Sequence, residues 1–207
     1  MRSHRITAVS LFPREVTEIA PRKPGEQPPL IVTNDDREVT GVRQMKRFDA
    51  SQGPRIIGPD DGKFVDLGSC GVRFMVWTEE SGGGFSLVEH PIPPRHLASP
   101  VHRHTKEDEY SYVLEGTLGA LLGDEVVYAK PGDFVLKPRD QWHAFWNAGD
   151  SPCRILEIIS PGGFEHYFEE LAETADPNID WTRRYGNEID PAATTRIRER
   201  FGLLYPR

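Results

Sequence analysis

The 207-residue sequence predicts an all-β barrel or sandwich with an N-terminal arm and two C-terminal helices. Three observations predict it. Short stretches rich in Val, Ile, Phe, Tyr and Trp alternate with turn residues from Ile56 to Ile159. The 19 glycines and 18 prolines recur between those stretches, as turns do between short strands. Helical periodicity appears only after Gly162-Gly163.

Residues 1–50 are polar, with a Pro-rich stretch from Pro21 to Pro29, and read as an extended or partly disordered arm. Residues 51–163 read as the barrel. Its strands are expected at Phe64–Leu67, Val72–Thr78, Phe85–Pro91, Val101–His104 and Tyr110–Leu114. Five more follow at Leu118–Leu122, Val126–Ala129, Asp133–Lys137, Trp142–Trp146 and Arg154–Ile159. Residues 164–207 read as a helical extension packed on the outside of the barrel. Phe164, Tyr167, Phe168 and Leu171 form a helical stripe within Phe164–Thr174. Asp190-Pro191 has the form of an N-cap followed by a proline at the first helical position, and that helix should stop at Gly202.

Composition narrows the partners. With 25 Lys plus Arg against 32 Asp plus Glu, the net charge is -7, which disfavours nucleic acid. No apolar run is long enough to cross a bilayer. The apolar residues Ala8, Val9, Leu11 and Phe12 are interrupted by Pro13, Arg14 and Glu15, so no secretory signal is expected. Cys70 and Cys153 are read as buried, reduced thiols, consistent with a cytoplasmic protein. The run Gly82-Gly83-Gly84 lacks the strand–loop–helix context of a phosphate cradle and reads as a turn.

The chemistry concentrates in His102, His104, Glu109 and His143. Side chains two apart on a strand share a face, so His102 and His104 can aim at one point. Glu109 lies five residues past His104, so a turn through Thr105–Asp108 must reset the register before it can join them. Glu109, Ser111 and Val113 then share the inner face. Tyr110, Tyr112 and Leu114 form an apolar outer face that needs a cover, and a homodimer is expected. His143 shares a face with Phe145 and Asn147 on a later strand. Three imidazoles and a carboxylate suit one divalent transition metal ion, Fe, Ni, Co, Mn, Cu or Zn, without choosing among them. Phe145, Ser111 and Val113, with Arg95 and His96 from the segment before the first ligand strand, are the candidate substrate-pocket residues.

The run His102-Arg103-His104-Thr105-Lys106-Glu107-Asp108-Glu109 with Gly116 resembles the first motif of the cupin superfamily. Gly132, Pro138, His143 and Asn147 match the spacing of the second. Glu107 also offers a carboxylate, but only Glu109 fits both the His spacing and the distance to Gly116. His96 and Asp140 stand where the motifs usually have glycine. Asp tolerates the left-handed backbone such a turn needs. The segment Ser160–Phe164 leading into Phe168–Leu171 is similar to the barrel-to-helix junction of bacterial quercetin 2,3-dioxygenase-type monocupins.

The resemblance implies a double-stranded β-helix, or jelly-roll, barrel that holds a divalent metal. It implies a dioxygenase acting on a small enolisable or flavonol-like aromatic substrate, with Glu109 both ligand and proton acceptor. Two other classes use the same site. One is a redox-neutral isomerase, cyclase or decarboxylase; the other is a non-catalytic cupin that binds a small molecule.

Overall fold

The computed structural model describes residues 47–206 except Ala175 and Pro177. The expected N-terminal arm therefore lies outside the described residues, apart from its last four.

The chain first makes β1 (Phe64–Asp66), β2 (Gly71–Val76), a short helix α1 (Thr78–Ser81) and β3 (Ser86–Ile92). The motif-bearing strands follow: β4 (His102–His104), β5 (Asp108–Glu115), β6 (Leu118–Leu122), β7 (Glu125–Ala129), β8 (Phe134–Lys137), β9 (His143–Asn147) and β10 (Cys153–Ser160). Helices α2 (Glu165–Glu173) and α3 (Trp181–Tyr185), strand β11 (Asn187–Ile189) and helix α4 (Pro191–Phe201) complete it.

All pairings are antiparallel. One sheet runs β1-β2-β3-β10-β5-β8 and the other β11-β4-β9-β6-β7. This is the expected all-β jelly-roll architecture, and alternation sorts its side chains. On β10, Cys153, Ile155, Glu157 and Ile159 are buried while the residues between them are not. The inner cluster of Ile92, Val113, Leu118, Ala120, Val135, Phe145 and Ile155 fills the barrel. Cys70 and Cys153 are free thiols in that cluster.

The C-terminal extension covers the outer face of β9. Ala144 and Trp146 of β9 are buried with Leu97, Ile197 and Leu203, and Trp146 stacks on Phe201 at 5.0 Å. Asp190 caps α4 by accepting from the Ala193 amide at 2.8 Å, and Gly202 ends it with φ 61°.

Three features differ from expectation. Helices do not come only at the end, because α1 interrupts the strands. Its four residues are too few for periodicity to register, yet Glu80 accepts from the Trp77 amide at 2.9 Å and Gly82 closes it at φ 72°. Accordingly β2 ends at Val76, short of Thr78. Helix α3 and strand β11 are also additional. Strand β11 pairs with β4, Asn187 opposite His104 and Ile189 opposite His102, and so braces the histidine strand.

Candidate metal centre

The two sheets bring the four candidate donors together from opposite sides. His102 and His143 are direct cross-strand partners on β4 and β9. Glu109 comes from β5 of the other sheet, where the bends at Thr105 and Lys106 precede a strand beginning at Asp108. All four are buried, none more than 5% exposed. His104 Nε2 lies 3.1 Å from His102 Nε2 and 3.2 Å from Glu109 Oε1, and His143 Nε2 lies 3.3 Å from Glu109 Oε2.

The hydrogen bonds behind the rings set their tautomers. His102 Nδ1 faces the Pro100 carbonyl at 2.8 Å and His143 Nδ1 faces the Gln141 carbonyl at 2.9 Å. A carbonyl only accepts, so each Nδ1 carries the proton and each Nε2 presents a lone pair to the centre. Burial, reinforced by the neighbouring imidazoles, holds His102 well below its ordinary pKa, and burial also lowers His143. His143 Nε2 and Glu109 Oε2 are buried without a well-formed hydrogen bond.

These observations fit a metal. A metal–ligand bond of about 2.1 Å gives donor–donor edges of about 3.0 Å in an octahedron and about 3.4 Å in a tetrahedron. The separations found lie in that range, and all four donor atoms fall within 4.8 Å of one another. The cluster could hold one divalent ion, with His102, His104, His143 and Glu109 as its donors. Glu107 is buried on the far side of His104, its Oε2 3.9 Å from Nδ1, rather than at the shared point.

Two charged residues that the sequence reading passed over stand beside the centre. Lys137 is fully buried, with its ammonium 2.9 Å from Glu109 Oε2, 2.9 Å from Glu157 Oε2 and 4.4 Å over the Phe145 ring. Ser111 donates to Glu157 Oε2 at 2.7 Å, while Glu157 Oε1 is buried with no partner. Burial alone would raise the Glu109 carboxyl, but Lys137 and His104 hold it well below the usual carboxylate range. Burial pushes Glu157 up to about 7, since one ammonium serves two carboxylates. Alternation carried the signal for both residues: Lys137 is two past inward Val135, and Glu157 lies between inward Ile155 and Ile159.

Of the remaining candidates, Phe145, Ser111 and Val113 lie in the interior. Arg95 and His96 are placed elsewhere. Arg95 is exposed and paired with Asp150 at 2.7 Å. His96 lines a groove of about 410 Å³ with Gly68, Arg198, Leu203, Tyr205 and Pro206. Asp140 adopts the left-handed backbone expected of its turn, at φ 64°, and Arg95 adopts it too, at φ 59°. The Asp140 amide donates to the His104 carbonyl at 2.7 Å, tying that turn to the ligand strand.

A second histidine–carboxylate group, Glu79, Glu165 and His166, lies apart from the centre. Both oxygens of buried Glu165 accept backbone amides, from Thr78 at 2.6 Å and Gly163 at 2.7 Å. Its role is to hold α1 against the start of α2.

Residues 89–159 match the family model for a cupin domain. No curated protein matches the chain. Among solved structures, the chain is similar to KdgF from a Halomonas species, at 17% identity and a TM-score of 0.48, over 55% of this chain and 98% of that one. It is similar to the polyketide cyclase RemF from Streptomyces resistomycificus at 26% identity and 0.46, over 52% and 79%. A cupin sugar phosphate isomerase from Silicibacter pomeroyi matches at 21% and 0.45, over 51% and 75%.

Proposed function

We propose that this chain is a cupin and a metal-dependent enzyme that acts on a small oxygen-donor molecule at the His102–His104–Glu109–His143 centre. Its proposed chemistry is dioxygenation of an enolisable or flavonol-like aromatic substrate. The observation that carries the reading is the convergence of three imidazoles and one carboxylate inside an apolar barrel. An ion held by four protein groups in octahedral geometry keeps positions for exogenous oxygen ligands, and when bound it supplies Lewis acidity and access to dioxygen chemistry. The chain itself orients the His102 and His143 imidazoles through Pro100 and Gln141 and excludes water with Phe145 and Phe164, whose ring lies 4.3 Å from that of His104.

The buried Lys137–Glu157 pair favours a second reading. Isomerisation, cyclisation or decarboxylation needs a proton donor or acceptor besides the metal donors, and these two side chains offer one. Metal analysis with oxygen-uptake assays on enolisable aromatic compounds separates the two. Bound Fe, Ni, Co or Mn with oxygen uptake supports dioxygenation, and zinc without uptake supports redox-neutral chemistry. A loaded centre whose spectrum is unchanged by added small anions would overturn both, leaving an ion that braces the barrel. We also infer that two copies associate through the exposed aromatic face of β5 and β8.

A further inference from the structure

We infer that Lys137 is a resident counter-cation of the centre, holding Glu109 in place in the metal-free protein and competing with a divalent ion for that carboxylate. This rests on the reading of the four residues as a metal site and assigns Lys137 a positioning role within it. Glu109 and Lys137 are direct cross-strand partners, so the sheet register imposes their contact. The ammonium and His143 Nε2 approach the same carboxylate oxygen, Oε2, at 2.9 and 3.3 Å. Lys137 therefore stands beside the side of Glu109 that an ion among the imidazoles would use.

Its approach to Oε2 is an ion pair off the hydrogen-bonding direction, whereas its bond to Glu157 Oε2 is a directed one. Glu157 is thus the anchor of the ammonium and Glu109 its second, looser partner. The side chain is fully buried, so water does not screen its charge. With a divalent ion present, three positive charges face at most two carboxylates. Repulsion between Lys137 and the ion makes binding weaker than the four donors alone would give. Removing the lysine charge should destabilise the metal-free protein and tighten the metal, whereas a purely structural lysine would weaken both states.

The test uses the full chain without a metal-binding tag, stripped with chelator at neutral pH and titrated with Co(II) against a competing chelator. Melting temperatures are recorded with and without Co(II). Lys137→Met should melt lower than wild type without metal, bind Co(II) roughly tenfold to a hundredfold more tightly, and gain more on loading. Lys137→Gln, which keeps a hydrogen-bond donor without the charge, should move the same way and serves if Lys137→Met does not fold. Glu157→Gln leaves Lys137 to Glu109 alone and should bind Co(II) more weakly than wild type. Equal or weaker binding by the Lys137 variants, or unchanged or tighter binding by Glu157→Gln, would overturn the inference. Binding by wild type with no gain in the lysine variants leaves the metal centre standing and removes only the counter-cation role. Binding by the lysine variants alone supports that role and removes the metal from the native protein. No binding by any of them removes both.

Discussion

His102 and His143 are each oriented by a backbone carbonyl behind the ring, whereas His104 Nδ1 is buried without a hydrogen-bond partner. Beside the centre, Lys137 has two carboxylates to serve, and they divide the consequence. Glu109 keeps its charge while burial drives Glu157 toward the protonated form. A carboxyl raised in the folded state contributes stability that is fully present below its unfolded pKa of about 4.5 and is lost as pH rises through about 7. Glutamine mimics the protonated form and cannot ionise. In the metal-free protein, Glu157→Gln should therefore gain stability relative to wild type between pH 5 and pH 8. Melts across that range check it, and a gap between the two proteins that does not change with pH would contradict it. The sequence made the histidines and Glu109 visible because their spacing is unusual. It hid Lys137 and Glu157 because charged side chains are ordinarily assigned to solvent, and only their pairing across β5, β8 and β10 makes burial tolerable.

The strands sort these residues by alternation, and a close contact between elements fixes the registers. Gly119 is opposite Trp146, and a Cβ at Gly119 would stand 2.3 Å from the indole. Trp146 is buried and stacked on Phe201 of α4, so it has little room to give. Gly119→Ala should cost about 1–3 kcal/mol of stability through overpacking. Denaturant unfolding measures this, and an unchanged midpoint would refute the packing described. Asp190→Ala removes the cap of α4 and should cost about 1 kcal/mol by the same measurement; no loss would show the cap to be dispensable. Strand positions were readable to within two residues because most are apolar or alternating stretches bounded by turn residues, and the polar β4 is marked by its paired histidines. Elements α1, α3 and β11 were not readable. Each is three to five residues long and is held by capping or by an edge strand rather than by its own periodicity.

At the scale of the molecule, the candidate centre joins the two sheets, with imidazoles from β4 and β9 and a carboxylate from β5. An ion there cross-links the barrel, so chelation should lower the melting temperature and metal should restore it. The outer face of β5 and β8 stays open, with Tyr112, Phe134 and Leu136 at 39%, 47% and 57% exposure. Light scattering at micromolar concentration should find a dimer, and Leu136→Lys should shift it toward monomer. A monomeric wild type would contradict that assembly. Among the described residues no helix is long and apolar enough to cross a membrane. The bound metal is the decisive property of the centre, and metal content measures it. The chain should be purified without a metal-binding tag, alongside a His102→Ala, His143→Ala double variant, and both analysed for bound metal. About one ion per wild-type chain and almost none in the variant is the predicted result. Near-zero metal in both proteins, or equal metal in both, would contradict it.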